Sequence, residues 1–310
     1  MSEFPETLYV SSSSITRCDE DWADIERDPR GVLLMWEPPK KNAQYIMGLD
    51  PTVGRTGWTR GTRQDGDTKI DNAAIEIFEV EGSREALWTK DPDTGARVLD
   101  IDPVTKKQRY LYRDVQVAEF AAPCDAVEIA RIANVLGRIY SGREEDQCEL
   151  IYESYPGPGM LTTQELIRLG YGNIWMWETF ADGMSEPTRA MGWHSTPRSQ
   201  QVLWYRARRH LLGRHAVLRS KFLLKEYAKA VVNLDKMRAQ ASYGSHDDRF
   251  QAANMCFWAG HRWSQDAERT DEQVSVSPPV LDFQRAAPTL DGEYHDSFQS
   301  WKESSIAGWD

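Results

Sequence analysis

Tyr45-Ile-Met-Gly-Leu-Asp-Pro-Thr-Val-Gly54 is the stretch on which the reading of the fold turns. Tyr45, Ile46, Met47 and Leu49 read as a buried strand. Pro51 and Gly54 cannot extend it, because proline lacks a backbone donor and glycine favours turns. Asp50 therefore falls where a strand ends and a loop begins. A carboxylate there is held rigidly yet stays reachable from solvent, which suits a metal ligand. It equally suits a turn-initiating Asp before proline.

Working outward, Asn72–Val80 alternates as a second strand and Val115–Phe120 as a third, giving an antiparallel meander. Between them, residues 81–113 carry the turn signals Asp91-Pro-Asp-Thr-Gly95 and Asp102-Pro-Val-Thr105, which predict a β-hairpin insertion. Pro123 opens an amphipathic helix to about Tyr140. Cys148–Glu153 is a short, apolar central strand broken by Gly157-Pro-Gly159. A helix over Thr162–Leu169 ends at Gly170. Asn173–Trp177 is predicted as a fifth strand. Thr196-Pro197 supplies a cap and first residue for a helix to Leu212. Ala216–Leu218 reads as an edge strand, Phe222–Leu234 as a helix, and a last helix spans about 247–260. Three strands followed by helix, strand, helix, strand is an α/β pattern with a mixed sheet flanked by helices. The expected organisation is a lead-in over 1–43, including a short strand near Val32–Trp36, one domain over 44–263, and an acidic tail over 264–310.

Composition narrows the function. The 310 residues are 40% hydrophobic, enough for a sizeable core. No apolar run approaches the roughly 18 residues of a membrane span. The N-terminal Met-Ser-Glu-Phe-Pro lacks the blocks of a signal peptide. Cys18, Cys124, Cys148 and Cys256 form no CxxC pair and fit a reducing cytoplasm. The net charge of −11 is unevenly spread. Residues 1–30 hold eight acids against three bases, and 266–310 hold ten against three. Pro187–Lys225 contains nine Lys or Arg and no acid, an electrostatic footprint for a polyanion or else a solvated helix face.

Three acidic spots share one setting. Asp50 ends a strand, Glu153 ends another, and Asp247 and Asp248 open a helix after Gly244-Ser-His. Each alone reads as a turn residue, a surface acid or a complement to the helix dipole. If the first and fourth strands are neighbours, Asp50 and Glu153 stand side by side and the helix start lies across them. Crowded carboxylates are unfavourable unless a cation joins them. Mg²⁺ prefers carboxylate and water oxygens, and two such ions about 3.5–4 Å apart suit phosphodiester cleavage.

Gly48-Leu-Asp-Pro-Thr-Val-Gly54, Asp71-Asn-Ala-Ala-Ile75, Val115-Gln-Val-Ala118, Tyr152-Glu153 with Gly157 and Gly159, Gly170-Tyr-Gly-Asn-Ile-Trp175, Gly192-Trp-His-Ser-Thr196 and Gly244-Ser-His-Asp-Asp248 together resemble the nuclease domain of the large terminase subunit of tailed bacteriophages. The resemblance covers roughly residues 44–260. It implies an RNase H-like fold and an endonuclease that cuts concatemeric double-stranded DNA with two Mg²⁺ or Mn²⁺ ions. Asp50 and Glu153 become metal ligands, with Asp247 or Asp248 supplying the third. His246 becomes an auxiliary group or a surface turn residue. Thr196 touches DNA or merely caps its helix. Arg198, Arg206, Arg208, Arg209 and Arg214 become phosphate contacts. The implied partners are a terminase ATPase domain or subunit, the small terminase subunit and the portal, in the host cytoplasm rather than in the mature virion. No GxxxxGK[ST] loop occurs, and residues 1–43 are too short for an ATPase domain, so the chain is expected to be an excised nuclease domain or half of a split motor, without ATP hydrolysis of its own. The rival readings are a Holliday-junction resolvase or transposase-type nuclease, and a non-catalytic motor-docking module.

Overall fold

The computed structural model describes residues 8–10, 31–52, 72–142, 147–155, 157–179, 188–233, 238–241 and 247–267. The chain divides into two compact units, Met1–Trp175 with Met191–Thr270, and Met176–Ala190 with Asp271–Asp310. In chain order the first unit begins with β1 (Leu8–Val10), β2 (Leu33–Met35), β3 (Tyr45–Asp50) and β4 (Ala73–Ala86). β5 (Trp88–Lys90), β6 (Arg97–Leu99), β7 (Tyr110–Ala122), α1 (Ala126–Ile139), β8 (Glu149–Tyr155) and α2 (Pro158–Arg168) follow. β9 (Met176–Thr179) and β10 (Thr188–Met191) pair as a small two-stranded sheet, which is what the described residues show of the second unit. The first unit resumes with β11 (Trp193–His194), α3 (Pro197–Leu212), β12 (Ala216–Val217), α4 (Lys221–Lys229), β13 (Ala230–Asn233), β14 (Arg238–Ala241) and α5 (Asp248–Ala267).

The main sheet runs β1-β2-β7-β4-β3-β8-β11, with β12 also on β7. β3, β4 and β7 are antiparallel neighbours, while β8 lies parallel to β3 and β11 parallel to β8. Numbering those five by chain order gives 3-2-1-4-5, the RNase H-like arrangement. Alternation along β3 sends Tyr45, Met47 and Leu49 to one face, where they join Ile129, Ile132 and Leu136 of α1 in the main core. Asp125 caps α1, its carboxylate accepting from Val127 N at 2.9 Å and Glu128 N at 2.8 Å. Gly48 faces the other way, under α5. A Cβ there would lie 2.0 Å from the Ala252 carbonyl oxygen and 2.8 Å from Cys256 Sγ. The missing side chain is what lets α5 lie directly on the sheet.

Three expectations need correcting. Leu33–Met35 is the short strand expected within 1–43, but it is buried and pairs antiparallel with Ala118–Phe120 of β7, so the main sheet begins before residue 44. Asn173–Trp177 is not one strand. Ile174 makes an isolated parallel bridge to Leu150, and Trp193–His194 takes the place beside the end of β8. Gly192 permits the switch, because at its φ of +71° a Cβ would meet the Tyr152 carbonyl oxygen at 2.6 Å. The helix from Phe222 stops at Lys229, where the β-branched Val231 and Val232 enter a strand that pairs with Arg238–Ala241. The excursion over 81–113 is a hairpin arm grown out of β4 and β7. Pairing resumes past a bulge at Glu79/Ser83 and runs out to Ala86↔Tyr110. Beyond the acidic α5 start, residues after 267 fall outside the described structure, and so does the expected tail apart from its first residues. Among the described residues no helix is long and apolar enough to cross a membrane.

Glu165 ties α2 to α1 by accepting from Arg131 Nε at 2.8 Å and Arg168 Nε at 2.7 Å. The bonds to Arg168 and then Arg131 pull its carboxyl from an ordinary 4.5 down to about 2. A lowered folded-state pKa gives stability that is present above the unfolded value and lost as pH falls through the folded one. Glu165→Gln is therefore expected to lower the melting temperature slightly at pH 7, less so in high salt because both arginines are exposed, with the gap closing between about pH 4.5 and 2. Gly48→Ala is expected to cost about 1–3 kcal/mol or more in denaturant melts, through overpacking against α5.

Candidate active site

The sheet register builds the site. Gly48 pairs with Ile151 and Leu49 with Tyr152, so the next pair in line is Asp50 and Glu153. Asp50 ends β3, whereas β8 continues two residues past Glu153 to Tyr155, so Glu153 lies near a strand end and not at it; period-two alternation puts both acids on the α5 face with Gly48. Asp50 is flanked on its other side by Ala74, and Glu153 by Trp193. The short Ala74, with Ala121 and Ala252, leaves room for the first turn of α5 to settle over this end. That turn carries Asp248, which is 9% exposed and accepts a hydrogen bond from Asn72 N at 3.4 Å. Asp247 is half-buried beside it, and its carbonyl accepts from Gln251 N.

Electrostatics reports the same convergence. Burial pushes the Asp50 carboxyl well above its usual range, and the charges of Glu153, then Asp248, then Asp247, push it further. A hydrogen bond between Asp50 and Glu153 adds to the shift. All four predicted acids are thus brought to one place, with Asp248 acting on Asp50 more strongly than Asp247 does.

The donor set is all carboxylate oxygen, the chemistry of Mg²⁺ or Mn²⁺ and not of a thiolate-loving metal. Among the described residues, no three His, Cys, Asp or Glu side chains already stand in metal-holding geometry. The residues fit a hard divalent cation in chemistry and in excess negative charge, and the acids would have to close on it by side-chain rotation.

The basic residues are spread out instead. Thr196 caps α3 in a capping box with Ser199, its hydroxyl accepting from Ser199 N at 3.1 Å. Arg198 is exposed in the first turn of α3 and Arg209 in its last. The 16-residue helix puts these ends about 24 Å from start to finish. Arg206 does not face solvent freely. Its guanidinium lies 4.1 Å above the Trp258 ring, and Trp258 meets the buried Trp193 edge-on at 4.9 Å. Arg208 is half-buried. Arg214 has a φ of +60° and stands 3.7 Å from Glu85 on the hairpin arm. His246 lies outside the described residues.

The sequence reading missed a buried polar stripe beside the acids. Glu76, Gln116 and Glu119 are nearly inaccessible, and Gln116 Nε2 donates to Glu76 at 2.6 Å. Arg249 reaches into the stripe from α5. The alternation in Glu76-Ile-Phe-Glu-Val80 and Val115-Gln-Val-Ala-Glu-Phe120 was legible, but it gave no sign that the polar face is covered.

No protein-family model and no curated protein matches the sequence. Among solved structures, the chain is similar to the large terminase nuclease from thermophilic phage G20c, with 12% identity, 74% of this chain and 90% of that one covered, and a TM-score of 0.44. The cobalt-bound form of that nuclease gives a TM-score of 0.46 at 12% identity, over 74% and 89% of the two chains. The large terminase nuclease domain of Thermus phage P74-26 gives 0.42 at 13% identity, over 74% and 86%. Likenesses this distant say nothing of chemistry, which has to be argued from the site.

The site makes a prediction of its own. A carboxyl whose folded pKa is raised stabilises the fold fully below its unfolded pKa and loses that as pH rises through the folded value. Asp50→Asn removes the cost of ionising in this cluster. In EDTA at pH 7 the variant is expected to melt above the wild type, with the difference vanishing as pH falls below about 4. A lower melting temperature for the variant in EDTA would contradict the crowding.

Proposed function

We propose that the chain is a divalent-metal-dependent DNA endonuclease of the kind that serves phage DNA packaging, cutting double-stranded DNA by phosphodiester hydrolysis. One observation carries the reading: Asp50 at the end of β3 and Glu153 near the end of β8 stand side by side on adjacent parallel strands of an RNase H-like sheet, under a helix that opens with Asp247 and Asp248. Asp50, Glu153 and Asp248 would hold two Mg²⁺ or Mn²⁺ ions, with Asp247 beside them. When bound, such ions supply a water of lowered pKa and charge stabilisation for the departing oxygen. The protein's own part is to aim carboxylates from three elements at one point. It keeps them rigid on strand ends and walls the Glu153 side with Trp193. The exposed Arg198 and Arg209 are suited to hold phosphates, and such contacts favour cutting with little sequence preference and strong salt dependence. Arg206 is better suited to packing on Trp258 than to touching DNA. The proposed partners are an ATPase domain or subunit of the packaging motor, its small subunit and the portal, in the host cytoplasm.

Supercoiled plasmid incubated with the full chain and Mn²⁺ or Mg²⁺ is expected to be nicked and linearised. EDTA should abolish cutting, and Asp50→Asn should reduce it by more than about 100-fold, beyond what loss of a supporting residue costs. Cleavage that persists in EDTA, or in Asp50→Asn at the wild-type rate, would remove the assignment. Preference for four-way junctions over linear duplex would redirect it to a resolvase.

A further inference from the structure

Arg249 follows Asp248 directly, and its guanidinium is gripped from two sides. Nε donates to Glu119 Oε1 on β7 at 2.9 Å, and an Nη donates to Glu226 Oε1 on α4 at 2.9 Å. The other oxygen of Glu226 accepts from Phe250 N at 3.0 Å, so a carboxylate from α4 caps the first turn of α5. The guanidinium also lies 5.1 Å over the Phe222 ring. The Arg249 side chain is 16% exposed, that of Glu226 8% and that of Glu119 1%. Glu119 belongs to the sheet that carries Asp50: it pairs with Glu76, which pairs with Gly48. A closed loop of rigid parts therefore runs from Asp50 through β3, β4 and β7 to Arg249, and back to Asp248 along one peptide unit.

A buried ion pair is a poor device for stability alone, since well-packed apolar residues often do as well. Its directional bonds are a good device for register. We propose that Arg249 is a positioning residue: gripped by Glu119 and Glu226, it sets where Asp248 stands against Asp50 and Glu153, and thereby sets the affinity of the four acids for a divalent cation. This rests on the reading of those acids as a cation site. The guanidinium fork matters because it bonds two carboxylates in different directions, which a lysine ammonium at the same place does with less constraint.

The test is titration of Mn²⁺ alone into the full chain by calorimetry, with melting temperatures taken alongside. Wild type is expected to bind and Asp50→Asn to lose binding. Arg249→Lys is expected to weaken binding about 10–100-fold, and Glu226→Gln, which keeps an acceptor for Phe250 N, by less. Tyr227→Phe separates positioning from stability. It removes the hydroxyl bond to Asn254 at 2.8 Å, another α4–α5 tie further along the helix. It should lower the melting temperature and leave Mn²⁺ affinity unchanged. Plasmid cutting by Arg249→Lys should recover toward wild type at saturating Mn²⁺. No Mn²⁺ binding by wild type would overturn the cation site and this inference together. Wild-type binding with unchanged affinity in folded Arg249→Lys would overturn the inference alone. Should Arg249→Lys fail to fold, wild-type affinity in Glu226→Gln would overturn it.

Discussion

The close seat of α5 on β3 is the constraint from which the rest of the arrangement follows. It exists because Gly48 has no side chain, so that the Ala252 carbonyl lies where a Cβ would be. Helix and sheet then meet at backbone distance, and the first turn of α5 comes down over the strand ends. The alanines at 74, 121 and 252 continue the same logic toward the site. Larger side chains there would lift Asp248 away from Asp50. The approach is also held midway along α5 by aromatic packing, with Phe257 edge-on to Phe78 at 5.0 Å and Trp258 edge-on to Trp193. A helix seated this tightly carries its N-terminal acids as a fixed part of the sheet edge.

That rigidity has a cost, which points toward function. Asp50 is pressed by burial and by three neighbouring acids. Close by, burial and then the charge of Glu119 push the Glu76 carboxyl well above its usual range, with one guanidinium and one amide to relieve it. A fold selected for stability alone has no reason to collect carboxylates at the junction of two central strands and a helix start. Repulsion of this kind is relieved when a cation occupies the space between the acids. The two acidic groups are relieved differently. Glu76 accepts from Gln116, and Glu119 and Glu226 accept from Arg249, while Asp50 is crowded by the charges of Glu153, Asp248 and Asp247.

Much of this was legible in the sequence. Tyr45–Asp50, Ala73–Val80, Val115–Phe120 and Glu149–Glu153 announce themselves by apolar runs and by the breakers that end them. The order of strands and helices then leaves few sheets to choose from. The sequence put Asp50 beside Glu153 only if their strands are neighbours; the sheet makes them so, and the seat of α5 brings Asp247 and Asp248 to the same edge. What stayed hidden depends on tertiary cover. Glu76, Gln116 and Glu119 sit at alternating positions that normally face water, and it takes α5, together with the Arg219–Ser220 segment whose backbone donates to Gln116, to cover them. Nothing in the sequence marks Arg249 beyond its place after two acids. Arg198–Arg214 read as one basic footprint, yet helical spacing sends Arg206 onto Trp258, and Arg214, in the turn after α3, stands by Glu85. Asn173–Trp177 misled because the run touches the sheet only through the isolated Ile174 bridge to Leu150, and Trp193, after the turn at Gly192, takes the place beside the end of β8.

The most direct test of the central claim is an anomalous difference map from crystals of the full chain soaked in Mn²⁺. The account predicts density ringed by Asp50, Glu153 and Asp248, with the carboxylates rotated in to meet it. Ordered Mn²⁺ elsewhere and none between these residues would contradict it.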